Sequence, residues 1–315
     1  MLVLVAPGQG AQTPGFLTPW LDVDGVADRL RAWSDPAGID LVRFGTEAGA
    51  EEIKDTAVAQ PLLVAAGLAT GLALFPEAAS GNSGLASSGV AAVAGHSVGE
   101  ITAAALAGAL TPETALAFVR ERGQGMAEAA ALTPTGMSAV LGGDPDEVAA
   151  KLAEHGLTAA NNNGGGQVVA AGTLEQLAAL KADPPAKARI IPLAVAGAFH
   201  TEHMAPGVER LAKFAETVTP ADPAVTYLSN ADGAAVADGG ELIRRLVNQV
   251  SNPVRWDLCM ASLERLGATC VIEVSPGGTL TNLVKRNLKG VATLALKTPD
   301  DLAKARELVA EHAAG

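Results

Sequence analysis

At 315 residues the chain is long enough to bury a substantial core, as one large domain or as a large and a small one. Its 49% hydrophobic content rests on Ala, Val and Leu with few aromatics, which excludes disorder on a large scale. A formal net charge of −12 argues against a general binder of nucleic acid or of anionic membranes, so an acidic partner would have to dock on a local basic patch.

In chain order, residues 2–6 are apolar and read as a central strand. No basic residue precedes Arg29 and the apolar run ends at Pro7, so a signal peptide is the poorer reading. The loop Pro7-Gly8-Gln9-Gly10-Ala11-Gln12 invites comparison with a dinucleotide-binding turn. That fingerprint needs a third Gly and a helix directly after it. Thr13 stands at the third position and Pro14-Gly15 follow, so the loop is expected to present backbone N–H groups and the Gln9 side chain to a pocket. Helices are expected over 23–33 and 56–74, the second with Gln60-Pro61 in its first turns. A Gly/Ser-rich connector follows over 80–89. The uncharged stretch 78–99 is too rich in Ser and Gly to cross a membrane.

Residues 90–94 read as a buried strand and 101–107 as an Ala-rich helix. Between them lies Gly95-His96-Ser97-Val98-Gly99. With 35 glycines in the chain, a chance Gly-x-Ser-x-Gly is easy to obtain, so the flanks decide. Strand, Gly-x-Ser-x-Gly, helix is the pattern of a nucleophile elbow, a turn sharp enough to strain the serine and lift its hydroxyl clear. Thr111-Pro112-Glu113 then starts a helix towards residue 130, with an N-cap hydroxyl, Pro in the first turn and an acid near the positive end.

From about residue 133 the pattern changes. Strands are expected at 137–141, 157–160, 167–171 and 188–195, with helices at 144–155 and 173–180. This β-α-β-β-α-β order suggests a ferredoxin-like lobe inserted into a larger domain. Beyond it, helices at 204–216, 242–250, 256–266 and 279–288 alternate with strands at 225–229, 270–274 and 291–296. Such alternation indicates a largely parallel sheet covered on both faces. The two cysteines, Cys259 and Cys270, sit in apolar surroundings and read as free buried thiols, in keeping with a reducing cytoplasm.

A serine needs a base within hydrogen-bond reach. Of the five histidines, His96 adjoins Ser97 but should point to the other side of the turn, where it serves as scaffolding. His155 and His312 are expected to be solvated. His200 and His203 remain, and His200 closes an apolar run where the chain re-enters the large domain. A backbone carbonyl could fix its tautomer as well as an aspartate could.

Five motifs then occur in order: Gly8-Gln9-Gly10-Ala11-Gln12; Gly95-His96-Ser97-Val98-Gly99-Glu100; Arg122-Gly123; Gly197-Ala198-Phe199-His200; and Asn248-Gln249 before Asn252-Pro253-Val254-Arg255-Trp256. Together they closely resemble the malonyl-CoA:acyl-carrier-protein transacylases of fatty acid and polyketide synthesis, over roughly residues 3–288. The resemblance implies an α/β-hydrolase-like large domain, 1–132 and 197–315, with a mostly parallel sheet and a ferredoxin-like insert, 133–196. It implies Ser97 as the acyl acceptor, His200 as base, backbone N–H groups of Gln9 and Val98 as oxyanion hole, and Arg122 as partner of the malonyl carboxylate. Gln249 would orient the histidine through its backbone carbonyl. It further implies malonyl-CoA and an acyl carrier protein as partners, a monomer in the cytoplasm, and no metal or cofactor, CoA thioester being a substrate.

Two details qualify the likeness. Asn163-Gly164-Gly165-Gly166-Gln167 replaces the family's usual Asn-x-Pro-Gly-Gln, and Phe199 before the histidine resembles malonyl-selective members. Lys285, Arg286 and Lys289, joined by Lys181, Lys187 and Arg189, form a candidate basic patch for an acidic carrier protein, with solvated helix charges as the alternative. Rival functions are a serine hydrolase on the same elbow and a carrier-binding module without activity.

Overall fold

The computed structural model describes residues 1–79, 84–195 and 197–313. The first part of the expected 80–89 connector and residue 196 at the edge of the expected insert lie outside them. Among the described residues eleven strands form: β1 (Leu2–Ala6), β2 (Val90–Gly95), β3 (Thr135–Gly142), β4 (Thr158–Asn162), β5 (Gln167–Thr173), β6 (Ala188–Pro192), β7 (Thr226–Leu228), β8 (Ala235–Val236), β9 (Val254–Arg255), β10 (Cys270–Glu273) and β11 (Ala292–Ala295).

They build two sheets. The larger runs β11-β10-β1-β2-β7-β8 and is parallel except for the β7–β8 pair. β1 lies inside it, and its side chains divide with the period of two that a strand imposes. Leu2, Leu4 and Ala6 enter one core cluster while Val3 and Val5 enter the other. A strand buried on both faces must be apolar throughout, which is why Leu2-Val3-Leu4-Val5-Ala6 shows no polar alternation.

Helices cover these faces. Thr56–Leu74 is N-capped by Asp55, whose side chain accepts the Ala57 N–H at 2.8 Å. It is long and apolar enough to cross a membrane by composition, but 89% of its most apolar window is buried in the fold, where it packs on Pro112–Leu132. The latter starts as its sequence indicates: Thr111 Oγ1 accepts the Thr114 N–H, with Pro112 in the first turn.

The smaller sheet runs β6-β3-β5-β4-β9. The pairs β6–β3, β3–β5 and β5–β4 are antiparallel. Helices Pro145–Glu154, capped by Asp144, and Leu174–Ala182, opened by a Thr173–Gln176 capping box, fill the β-α-β-β-α-β order over a core that includes Val140, Leu152 and Leu180. The fifth strand, β9, comes from far along the chain and pairs in parallel with β4, Asn161 with Val254 and Asn162 with Arg255. A two-residue strand has no periodicity of its own to announce it.

Three helices extend the sequence reading: Leu41–Thr46, Ala50–Lys54 and Asp301–His312. The last buries Leu302, Ala305 and Leu308, and His312 Nδ1 lies 2.8 Å from Thr269 Oγ1 in an exposed contact, the side chain 23% exposed. His155 departs from the expected solvation, its side chain only 15% exposed beside Asp183. Cys259 and Cys270 are free and buried.

Candidate active site

β2 ends at Gly95 and the next helix begins at Gly99, leaving three residues to reverse direction. A Cβ at Gly95 would stand 2.0 Å from the Gly99 backbone, and one at Gly99 would stand 2.2 Å from the Ala6 carbonyl oxygen, so only glycine fits at either. Ser97 between them takes φ +55°, the left-handed region that costs a non-glycine residue energy. Asn230, fully buried after β7, staples this turn. Its Oδ1 accepts the Ser97 N–H at 2.8 Å and its Nδ2 donates to the Gly95 carbonyl at 2.8 Å.

Ser97 Oγ lies 2.7 Å from His200 Nε2. His200 Nδ1 lies 2.8 Å from the Gln249 carbonyl oxygen, which can only accept. The proton is therefore on Nδ1 and the Nε2 lone pair faces the hydroxyl, a base fixed in its tautomer without an aspartate. Burial first, and the neighbouring Arg122 cation second, pull the His200 pKa down to about 3. The ring is neutral at every physiological pH.

Arg122 reaches the same spot from the middle of Pro112–Leu132 and is 1% exposed. Its Nη1 donates to Gln60 Oε1 at 2.6 Å, and its Nη2 donates to Gln249 Oε1 at 2.7 Å and to Ser97 Oγ at 3.3 Å. Both firm partners are neutral amides. Burial lowers its pKa to about 10, so it remains a cation whose charge no carboxylate touches directly.

Ser97 and His200 open onto a cavity of about 450 Å³ between the two sheets, lined also by Gln9, His96, Phe199 and Arg286 among others, with Arg122 buried behind Ser97. Gln9 hydrogen-bonds Thr56 through Nε2 at 3.3 Å, and its buried Oε1 has no partner among the described residues. Val98 is buried at the N-cap of Gly99–Leu106, so its N–H belongs to a helix's unshared first-turn donors. His96 lines the cavity too, its Nε2 2.9 Å from Asn163 Oδ1 and its ring edge-on to Trp256, which ties the elbow to the smaller sheet. His203 sits in the short turn Glu202–Met204 that follows.

An activated serine, an oriented neutral imidazole and a buried arginine that no carboxylate among the described residues touches directly suit transfer of an acyl group that carries its own carboxylate. The acyl transferase domain family matches residues 3–307. The chain belongs to that family. Within it, the chain is 51% identical to a malonyl CoA-acyl carrier protein transacylase of Mycobacterium tuberculosis over 302 residues, 96% of this chain and 98% of the relative. The crystal structure of MCAT from Mycobacterium tuberculosis superposes with a TM-score of 0.92 at 49% identity, covering 97% of this chain and 99% of that one. A malonyl-transacylase solved in complex with a type II PKS acyl-carrier protein superposes at 0.87 with 29% identity, covering 98% and 99%. The chain is thus a member of the malonyl CoA-acyl carrier protein transacylases, and its mixed α/β fold with two sheets is theirs.

The structure brings all six sequence-predicted site residues, Gln9, Ser97, Val98, Arg122, His200 and Gln249, to one end of the larger sheet. For this transacylase, sequence reasoning missed Gln60, Glu100, Asn163 and Asn230. Gln60 carried a signal, a polar residue in an otherwise apolar helix, and Glu100 closed the elbow motif. Asn230 carried none.

Proposed function

We propose that the protein is a malonyl-CoA:acyl-carrier-protein S-malonyltransferase working in two half-reactions. In the first, Ser97 Oγ passes its proton to His200 Nε2 and attacks the thioester carbonyl. The oxyanion is met by the backbone N–H groups of Gln9 and Val98, pre-placed donors each worth about 3 kcal/mol to such a transition state. Collapse expels the CoA thiolate, which takes the proton from His200 and leaves malonyl-Ser97. In the second, the phosphopantetheine thiol of the carrier protein gives its proton to His200 and attacks the ester, returning Ser97. CoA thioester is substrate and the reading calls for no cofactor.

Arg122 holds the malonyl carboxylate through paired N–H groups, and this does more than bind. The arginine cation helps to depress His200, so a carboxylate that offsets that charge raises the basicity of the imidazole as the correct acyl group arrives. The observation that carries the reading is the 2.7 Å Ser97–His200 contact beside an arginine whose short hydrogen bonds go to two amide oxygens. Lys285, Lys289, Lys181, Lys187 and Arg189 are exposed, and with Arg286 at the cavity they support a docking face for an acidic carrier protein.

We also read the architecture as an α/β-hydrolase-like domain, 1–132 and 197–315, with a ferredoxin-like insert, 133–196. The elbow after β2 supports the first, and the β6-β3-β5-β4 antiparallel order supports the second. Intact mass after mixing the protein with malonyl-CoA alone tests the function. One stable malonyl adduct, lost in Ser97→Ala, is expected. Free malonate accumulating without an adduct would make it a hydrolase.

A further inference from the structure

Glu100 is 1% exposed and lies on the first turn of the elbow helix, where the reaction described above gives it no task. Both its oxygens accept a hydrogen bond. Oε1 accepts the Asn230 backbone N–H at 2.6 Å and Oε2 accepts from Gln249 Nε2. Each acceptor leads to a different part of the site. Asn230 holds the strained Ser97 N–H and the Gly95 carbonyl. Gln249 holds His200 through its main-chain oxygen and Arg122 through its side-chain oxygen, and its Nε2 also reaches the Ser97 carbonyl at 3.1 Å.

The chemistry at its two ends decides which way the Gln249 amide faces. Arginine can only donate and a carboxylate only accepts, so Oε1 must turn to Arg122 and Nε2 to Glu100. Reversing the amide would set N–H against N–H at one end and oxygen against oxygen at the other. The carboxylate and the guanidinium thus form an ion pair with one amide inserted between them.

We propose that Glu100 is a positioning residue for acyl transfer: through Asn230 and the Gln249 side chain, one carboxylate fixes the orientation of the serine, the base and the arginine together. This role rests on the Ser97–His200–Arg122 mechanism above. The inserted amide also keeps Glu100 from neutralising Arg122 by direct contact, leaving the arginine's outer donors for an acyl carboxylate. The group is sensitive to proton concentration, because burial pushes its pKa up to about 7 against the opposing pull of Asn230, Arg122 and Gln249. The titratable groups facing it are Arg122 from Pro112–Leu132, Tyr227 on β7 and Cys259 on Trp256–Arg265. Burial raises Tyr227 and Cys259, so both stay neutral while Glu100 titrates.

The test is the single-turnover rate of malonyl-Ser97 formation from malonyl-CoA, followed by quench and intact mass between about pH 5.5 and 9. Wild type, Glu100→Gln, Gln249→Ala and the double variant are compared, with thermal melting to confirm folding. Gln249→Ala keeps the main-chain oxygen on His200 and removes the side-chain bridge together with its 3.1 Å bond to the Ser97 carbonyl. Each single variant is expected to load roughly ten- to a hundredfold more slowly, the usual range for losing a buried hydrogen bond to a charged group. The two losses should combine to clearly less than their product, because the variants share the Glu100–Gln249 connection. Wild type should show a rate that falls as pH drops through Glu100's titration, and this limb should vanish in Glu100→Gln. Should Glu100→Gln not fold, weakening of the same limb in Gln249→Ala carries the point. Multiplicative losses, a wild-type limb surviving in Glu100→Gln, or one undiminished in Gln249→Ala, would overturn the role. A wild-type protein that takes no malonyl group fails the catalytic reading itself, and that failure is visible before any variant is compared.

Discussion

Removing Arg122 should separate malonyl from acetyl transfer by a margin that the site's geometry sets. Arg122 is buried, donates to two amide oxygens at 2.6 and 2.7 Å, and points a further donor towards Ser97. A malonyl carboxylate placed there would form a desolvated, charge-assisted pair. Deleting one partner of such a pair costs about 2–5 kcal/mol. At 1.36 kcal/mol per factor of ten, Arg122→Ala should lower kcat/KM for malonyl loading by roughly thirty- to five-thousandfold. Acetyl has no carboxylate to lose. Withdrawing the cation also lets the His200 pKa rise from about 3, so acetyl loading should hold or increase. The variant leaves the Gln60 and Gln249 oxygens unpaired, at about 1–3 kcal/mol each, and melting curves will report that separately. The assay is a quenched time course of acyl-Ser97 formation from each CoA ester. Malonyl and acetyl losses equal within about threefold would refute the carboxylate clamp.

His200 also predicts an acid sensitivity. Its folded pKa of about 3 lies below the ordinary 6.5, so between those values the unfolded chain binds the extra proton and stability falls as pH falls. Glu100, raised from 4.5 to about 7, acts oppositely, the folded state holding the extra proton and losing stability as pH rises. His200→Gln removes only the first contribution, so its unfolding free energy should fall less steeply towards acid than the wild type's, by about 1.4 kcal/mol per pH unit between about pH 4 and 6; parallel denaturation curves would contradict this. Gly99→Ala puts a Cβ 2.2 Å from the Ala6 oxygen, backbone against backbone, and should cost at least about 3 kcal/mol or prevent folding, seen as a collapsed melting temperature. Reversing Lys285 and Lys289 to Glu should raise the carrier protein's KM while acyl loading from CoA stays unchanged; an equal response in both half-reactions would end the docking idea.

What the sequence makes legible here is what local chemistry determines. The unbroken apolar run of β1, the caps at Thr111 and Asp144, and the glycines that bracket Ser97 each act within a few residues, and each is found where local rules put it. The parts that escape are long-range. Asn230 reaches Ser97 across 133 residues and Gln249 reaches Glu100 across 149, and no periodicity marks either. Gln60 reads as a blemish in an apolar helix beside Pro61 until its 2.6 Å contact with Arg122 is seen. The family likeness supplied Gln249's main-chain role but not the second role of its side chain.

The borrowed strand β9 bears on engineering. Val254 and Arg255 complete the smaller sheet, yet they follow Gln249 by only five residues and lead directly into Trp256–Arg265 on the larger sheet's side. A graft that exchanged residues 133–196 between relatives would hand β4 a foreign neighbour along its open edge. Chimaeras that carry the 252–256 segment with the lobe keep that seam intact, and they keep the spacing between the sheet edge and the oxygen that steers His200.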